Sequence, residues 1–562
     1  MGFTDPNLPV VDHAEWAKLP REQRVEPMAR HFAEHGFGSP DVVVLGYVVK
    51  MVAYVAVAWA FILSTPGIDG FFAVDTWWRD GVVIYKIALW SMLFEVLGLG
   101  CGFGPLNLRF IPPMGSFLYW LRPGTIRLAP FGGKVPLTGG DTRRVADVVL
   151  YAAYLVALVV ALWGALTRTE VLVVLVLFAL LSLRDQVIFL AARGEVYGSF
   201  VVTFLFASAD VLTGAKAVLL MIWWGAAFSK INLHFPSVMA AMQSNNPFLR
   251  FGGMRRKFHR HFPDDLRPSR LAGVIAHSAT VVEFAVPAVL FFSGGGWLTL
   301  VCALIMIAFH LGIISSFPMG VPLEWNVFMI FGVVFVFLAQ PGIPWGALEE
   351  PIAIVALFGV LAALVVYGNF VPAKVSFLVA MRYYAGNWAT TIWCFKGDAL
   401  DRLDRGIVKA TMLPHQQLEK IYGTSEEAEI PLHMGYAFRG FHSHGRALYS
   451  LVPEACGPDH EDYLVLDGEL LAAVALGWNF GDGHLHSEQL IGALQRRCDF
   501  QPGDVRIVIL ESEPFGKGTQ RYRLVDPATG PVGSGHVLVR DLLERQPTAT
   551  DVPLYRDAPA PS

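Results

Sequence analysis

The sequence predicts a polytopic α-helical membrane protein of about eight to ten passes, followed by a soluble C-terminal α/β domain. Hydrophobic residues make up 54% of the 562 residues, and charged residues make up only 16%. Soluble domains are typically about 25% charged. Long apolar runs recur between residues 43 and 373. From residue 374 onward, charge rises and short alternating apolar runs, typical of strands, replace the long ones.

Four regions are predicted along the chain. Residues 1–42 form a polar, amphipathic N-terminal segment with a helix starting at Pro27, expected on the membrane surface or against the C-terminal domain. Their polar character predicts no cleavable signal peptide. Residues 43–373 form the transmembrane domain and residues 374–546 the α/β domain, whereas the Pro- and Ala-rich residues 547–562 are expected to be disordered.

Apolar runs predict the individual membrane spans. They cover residues 43–64, 81–99, 145–166, 171–191, 196–229, 271–293, 297–316, 326–340 and 351–371. The fifth run is too long for one pass and carries Asp210 and Lys216 on either side of Gly214. It is expected to form two short helices or a re-entrant hairpin that lines a cavity. Counting it twice gives about ten passes.

Basic connectors predict the orientation. Residues 98–144 and 250–270 are rich in Lys and Arg, whereas residues 65–80 are acidic. Loops rich in Lys and Arg tend to stay in the cytoplasm. Both termini are therefore expected on the cytoplasmic side of a bacterial inner (plasma) membrane. We expect the basic loops to contact anionic lipid headgroups, and the aromatic segment 117–121 to lie at the bilayer interface. The net charge of -4 gives no argument for binding to nucleic acid. The sequence leaves open whether the protein binds a protein partner.

Between residues 223 and 331, separate apolar runs keep Lys230, His277, Glu283 and His310 at or near membrane depth, and three of them, Lys230, Glu283 and His310, are the candidate site residues. A charged group at the bilayer centre costs roughly 3 kcal/mol, so such groups are usually paired or functional. We predict that all three face one intramembrane cavity, where Lys230 acts as a base and His310 contacts a substrate oxygen. The alternative is an ion pair between Lys230 and Glu283 that only fixes helix packing.

Two histidine pairs in the C-terminal region are candidates for a metal site: His442 with His444, and His484 with His486. Asp482 and Glu488 flank the second pair at alternating spacing, so the four side chains would share one face of a strand. However, the neighbouring glycines indicate a turn, and Ser487 is a typical helix cap. We therefore predict no metal, and the sequence identifies no cofactor.

The stretches WWGAAFSKINLHFPSVMAAM, TVVEFAVPAVL and AFHLGIISSF occur in this order. They resemble motifs of the vitamin K-dependent gamma-carboxylase family and of its bacterial relatives with the horizontally transferred transmembrane domain. The resemblance covers residues 40–370, and it implies a carboxylase- or epoxidase-like membrane enzyme with its catalytic base at Lys230 and its Glu and His at Glu283 and His310. Residues 245–270 and the C-terminal region differ from that family. The overall layout looks more like an uncharacterised actinobacterial transmembrane family of unknown function.

Two hypotheses about function therefore compete. The first is a membrane enzyme that acts on a lipid or quinone-like substrate in an intramembrane cavity, with Lys230 as the base. The second is a non-catalytic envelope protein that handles lipid or acts as a scaffold, and whose cytoplasmic domain binds a partner. A dry pocket at Lys230 that opens to the bilayer favours the enzyme, whereas a lysine directed to the headgroups favours the scaffold.

Overall fold

The computed structural model describes residues 3–100, 115–251, 253–316, 323–340, 342, 345–478 and 483–558. Up to residue 373 the described chain is almost entirely helical. The helices are α1 His13–Trp16, α2 Arg21–His35, α3 Asp41–Leu63, α4 Val74–Trp77, α5 Val82–Val96, α6 Gly115–Trp120, α7 Val145–Leu162, α8 Arg168–Arg184, α9 Gln186–Ala191, α10 Ser199–Val202, α11 Val211–Ser229, α12 Phe235–Asn245, α13 Arg270–Phe292, α14 Gly296–Ser316, α15 Leu323–Gly332 and α16 Pro351–Phe370.

Six of the described helices are long and apolar enough to cross a membrane: α3, α7, α11, α13, α14 and α16. Five of them begin and end within a few residues of a predicted span, whereas α11 forms the second part of the predicted run 196–229. Two further apolar segments are shorter, Gly194–Leu205 and Leu323–Leu338, and α5 and α8 have 15 and 17 residues. Six long helices are fewer than the predicted eight to ten passes, so the higher number requires that the shorter helices cross as well.

The long apolar run 196–229 divides in two, as its length predicted. A π turn, α10 and a 3-10 turn form Gly194–Leu205, and α11 follows after a break at Asp210. The Asp210 carboxylate accepts hydrogen bonds from the backbone N–H groups of Glu349 and Glu350. Lys216 donates to the carbonyl of Gln340, at 3.1 Å. The Asp210 and Lys216 side chains thus connect this part of the run to the loop that precedes α16.

The N-terminal segment packs on the C-terminal domain and not on the membrane surface. Val25, Met28 and Phe32 of α2 are fully buried in one core with residues of that domain. The helix begins at Arg21, so Pro27 lies inside it, contrary to the predicted start. Pro27 removes only one backbone hydrogen bond, and the buried apolar face outweighs that loss.

The C-terminal region contains a six-stranded sheet in the order β4-β3-β5-β6-β7-β8, with every pair antiparallel. It is therefore an α+β domain rather than the predicted α/β domain. Its strands are β3 Thr390–Lys396, β4 Tyr463–Asp467, β5 Val505–Leu510, β6 Thr519–Asp526, β7 Gly530–Leu538 and β8 Tyr555–Arg556; β1 His259–His261 and β2 Asp265–Pro268 form a separate hairpin. Its helices are α17 Ala399–Gly406, α18 Pro414–Tyr422, α19 Ser425–Phe441, α20 Leu448–Cys456, α21 Gly468–Leu476, α22 Glu488–Cys498 and α23 Val539–Glu544.

The tail, predicted to be disordered, is ordered as far as residue 558. Its β8 pairs with β7, Val552 is buried, and Arg556 forms an ion pair with Glu454 at 2.5 Å. A Pro- and Ala-rich composition indicated disorder, but two residues that pair with a sheet edge and one buried valine are enough to hold the segment in place.

The connectors bind the C-terminal domain to the membrane helices. Tyr119 and Trp120 donate hydrogen bonds to the carbonyls of Ala475 and Leu476, so the aromatic segment 117–121 is attached to this domain. The hairpin β1–β2 reaches the same domain through Asp265, which accepts a hydrogen bond from the Gln546 amide. The N-terminal segment and these connectors therefore all pack against the C-terminal domain.

Candidate functional site

The turn between α11 and α12 holds Lys230 in place. Lys230 is the C-cap of α11, and its side chain is buried. Two residues later, the Asn232 side-chain oxygen accepts hydrogen bonds from the backbone N–H groups of His234 (2.7 Å) and Phe235 (3.0 Å). An asparagine that binds the backbone in this way stabilises a tight turn. The short polar sequence KINLH thus fixes where the lysine leaves the helix.

Lys230 and Glu283 form a buried ion pair. The Lys230 Nζ donates to Glu283 Oε2 at 2.5 Å, and each side chain is only 5% exposed. The Nζ atom also lies 5.4 Å from the centre of the Phe235 ring and 5.8 Å from that of Phe309. A carboxylate and two aromatic rings therefore replace the water that a lysine would otherwise bind.

His310 is bonded at both ring nitrogens. Its Nε2 lies 3.0 Å from the Trp223 Nε1, and its Nδ1 lies 2.8 Å from the Asn326 Oδ1. Because an indole N–H can only donate, Nε2 is the acceptor and the proton sits on Nδ1. The predicted bond from His310 to a substrate oxygen therefore requires one of these bonds to open. In this geometry, His310 holds Trp223 and Asn326 in the wall of the site.

Lys230, Glu283 and His310 all line one cavity of about 250 Å³ between the membrane helices and α19. Most of its wall is apolar or aromatic. Met242, Ala279 and Ile313, on α12, α13 and α14, also line it and are partly exposed.

The C-terminal domain forms the other wall of the cavity. Arg439 of α19 binds both oxygens of Asp467 (2.9 and 3.1 Å), and its guanidinium lies 2.8 Å from Glu469. Burial lowers the pKa of His442 to about 4, so this lining histidine is neutral near pH 7. Burial also raises the pKa of Glu469. This end of the cavity therefore carries two carboxyl groups for one guanidinium.

The sequence did not indicate this second wall. The segment RGFHSHGR drew attention for its histidines, whereas its first residue, Arg439, is the buried charge at the end of α19 that lines the cavity. Asn326 and Trp223 were likewise missed, although both lie in the stretch that carries the predicted site. A polar side chain within a buried helix is the feature that all of them share.

The four candidate metal ligands lie in two separate places. His442 and His444 pack on one tryptophan at the boundary between the two domains. His486 accepts a hydrogen bond from a tryptophan of β3, and His484 lies 3.4 Å from a glutamate carboxylate. Asp482 lies outside the described residues. Within the part of the chain that is described, no three His, Cys, Asp or Glu residues are grouped so as to hold a metal ion.

A second buried ion pair was also missed. Lys50 of α3 lies 2.5 Å from Glu324 of α15, and its Nζ lies 5.9 Å from the Tyr47 ring centre and 5.7 Å from that of Phe94. Neither Lys50 nor Glu324 lines the cavity. The available signal was a single lysine in the middle of the first apolar run. Its partner lies too far along the chain for spacing to reveal it.

A family described as "transmembrane protein of unknown function (DUF3556)" matches residues 1–557. The chain belongs to this family. The match includes the membrane helices and the C-terminal domain, so the cavity and both of its walls lie within one family unit. No curated protein and no solved structure matches the chain. Membership of the DUF3556 family makes this an integral membrane protein, but it assigns no activity and gives no link to the gamma-carboxylases.

Proposed function

We propose that this protein is a membrane enzyme that acts on an amphipathic, lipid- or quinone-like substrate in the cavity, with the Lys230–Glu283 pair as its base. The observation that carries the proposal is a buried ion pair on the wall of a mostly apolar cavity. A pair that only fixes packing needs no such space beside it. The positively charged connectors support a bacterial inner membrane with both termini in the cytoplasm.

The pair can supply a base without leaving a net charge in an apolar site. While Lys230 is protonated, it cannot accept a proton. Transfer of that proton to Glu283 leaves a neutral amine and a neutral carboxyl, which an apolar environment favours over two separate charges. The amine then takes a proton from the substrate, and the resulting ammonium stabilises the substrate anion. His310 acts as a positioning residue through Trp223 and Asn326.

The order of the three sequence motifs supports the same assignment. In the gamma-carboxylase family that these motifs resemble, the lysine corresponding to Lys230 is the base. That resemblance covers the membrane helices alone, and the C-terminal wall of the cavity is not part of it. The chemistry of the substrate at that wall is therefore a property of this chain and not of the gamma-carboxylases.

A non-catalytic lipid-handling or scaffold protein is the alternative, and one observation favours it. Lys230 and His310 already have partners within the protein, as in a pair that serves only structure. In that case the cavity holds a lipid without changing it, and the C-terminal domain binds a protein partner.

Replacement of Lys230 by methionine in the native host distinguishes the two functions. Loss of a general base lowers turnover by roughly 100-fold or more, so we expect one class of lipid or quinone to accumulate in the membrane. Mass spectrometry of total lipid extracts measures this. The control is His277→Ala, because His277 lies on α13 with Glu283 but is exposed on its outer surface.

Lipid extracts that do not differ between wild type and a folded, membrane-inserted Lys230→Met protein would exclude the enzyme and leave the lipid-handling function. A change that His277→Ala produces equally would show that any substitution in these helices disturbs the membrane, and it would also count against the proposal.

A further inference from the structure

The basic connector 250–270 uses most of its charges internally. Four of its arginines have partners in the protein: Arg250 with Asp41 (2.6 Å), Arg255 with the carbonyl of Asn246 (2.6 Å), Arg256 with Glu34, and Arg267 with Asp265 (2.6 Å). These bonds attach the connector to the N-terminal segment and to β2. Because these four side chains are already bound within the protein, we do not count them as ligand-binding groups.

Three cations of the connector remain: Lys257, Arg260 and Arg270. All three are exposed, and none forms an ion pair with a described residue. Together with Ser269 they line one surface depression of about 480 Å³. The start of α13 is already capped, because the Ser269 hydroxyl accepts a hydrogen bond from the Ala272 N–H. The positive charge of the depression therefore comes from side chains and not from the end of the helix.

Exposed apolar side chains lie close to this depression in the sequence, and Leu271 lines it. Phe248 and Phe251 are 71% and 78% exposed, and Met254 and Leu271 are 44% and 41% exposed. Leu271 belongs to α13, one of the candidate membrane spans. Large apolar side chains beside cations at the end of a spanning helix are typical of a surface that lies in the headgroup region of a bilayer.

We propose that Lys257, Arg260 and Arg270 form a binding site for the phosphate headgroup of an anionic lipid, in the leaflet on the side of the C-terminal domain. Three cations attract a phosphate, and lysine and arginine donate to its oxygens. The exposed Phe248 and Phe251 side chains, which precede these cations in the chain, enter the same leaflet beside the acyl chains. A free phosphate ion would use the same cations but would leave these aromatic side chains in water, and this favours the lipid.

The test compares two lipids with the same acyl chains, dioleoyl phosphatidylglycerol and dioleoyl phosphatidylcholine. Each is titrated into the full chain in an uncharged detergent, and native mass spectrometry measures the bound lipid. Wild type should prefer phosphatidylglycerol, and Lys257→Gln/Arg260→Gln/Arg270→Gln should weaken its binding roughly tenfold or more. The control, Lys18→Gln/Arg405→Gln/Lys420→Gln, removes the same charge from exposed positions elsewhere and should bind like wild type.

A triple variant with the wild-type preference for phosphatidylglycerol would overturn the proposal. Inorganic phosphate that displaces the lipid at an equal concentration would show a site for a free anion and would overturn the assignment to a lipid. If the triple variant does not fold, wild type alone provides the test. Its preference should disappear when the ionic strength rises from about 0.05 to about 0.5 M, and a preference that persists would contradict recognition by charge.

Discussion

Two of the ion pairs in the described membrane region join a lysine to a glutamate at a buried position. Lys50–Glu324 and Lys230–Glu283 have the same N–O distance of 2.5 Å. In each, the ammonium group lies within 6 Å of the centres of two aromatic rings. They differ in their surroundings, because Lys230 and Glu283 line the cavity, whereas Lys50 and Glu324 pack between α3, α5 and α15.

This difference shows that burial and pairing do not by themselves identify a functional residue. Both pairs carry the cost of bringing charges into an apolar environment, and both recover part of it by mutual attraction. Only the pair beside the cavity can reach a molecule that is not part of the protein. We therefore propose a structural role for Lys50–Glu324 and a chemical role for Lys230–Glu283.

The largest effect on stability is expected from Glu324→Gln. It leaves the Lys50 ammonium buried without a carboxylate, and a broken buried pair typically costs about 3–5 kcal/mol. Thermal unfolding of the purified protein in detergent, followed by circular dichroism, measures the loss. The double variant Lys50→Met/Glu324→Leu is the control and should regain most of the stability, because it removes both charges. A single variant as stable as wild type would contradict a structural role for this pair.

Glu283→Gln should destabilise the protein less, by about 1–3 kcal/mol. The Lys230 ammonium then faces the cavity, where water or a ligand can solvate it. Lys230→Met should leave the protein folded and inserted, because the remaining Glu283 can bind a proton and become neutral. The same unfolding measurement, made on Glu324→Gln in parallel, shows which of the two variants loses more stability. A loss from Glu283→Gln that equals the loss from Glu324→Gln would mean that the cavity does not solvate the lysine.

Local sequence predicted the membrane helices well, because each span is a continuous apolar run whose length the bilayer sets. It predicted strands in the C-terminal region and a helix that starts after Ser487 for a similar reason, since alternation and helix caps are local patterns. It missed β3, whose continuous buried run TTIWCFK does not alternate. It also placed the start of α2 at Pro27, because the packing that overrides a proline is not visible in local sequence.

The site was predictable only in part. Lys230, Glu283 and His310 stand out because each is polar in an apolar run, and the cost of that placement indicates a cavity or a partner. Lys50 fits the same rule and has a different role, so the rule finds candidates but cannot sort them. The Arg439 wall depends on how the C-terminal domain docks on the membrane helices, and no spacing in the sequence encodes that contact.

The most direct test of this account asks whether the cavity beside Lys230 holds a ligand. Ala226 lines the cavity one turn before Lys230, so Ala226→Trp should fill it. Purified wild-type protein should retain about one specific amphipathic molecule per chain, detected by mass spectrometry, and Ala226→Trp should lose it. The control Val355→Trp adds a similar side chain at an exposed position of α16 and should keep the ligand. Retention of the same molecule by a folded Ala226→Trp protein would contradict the account.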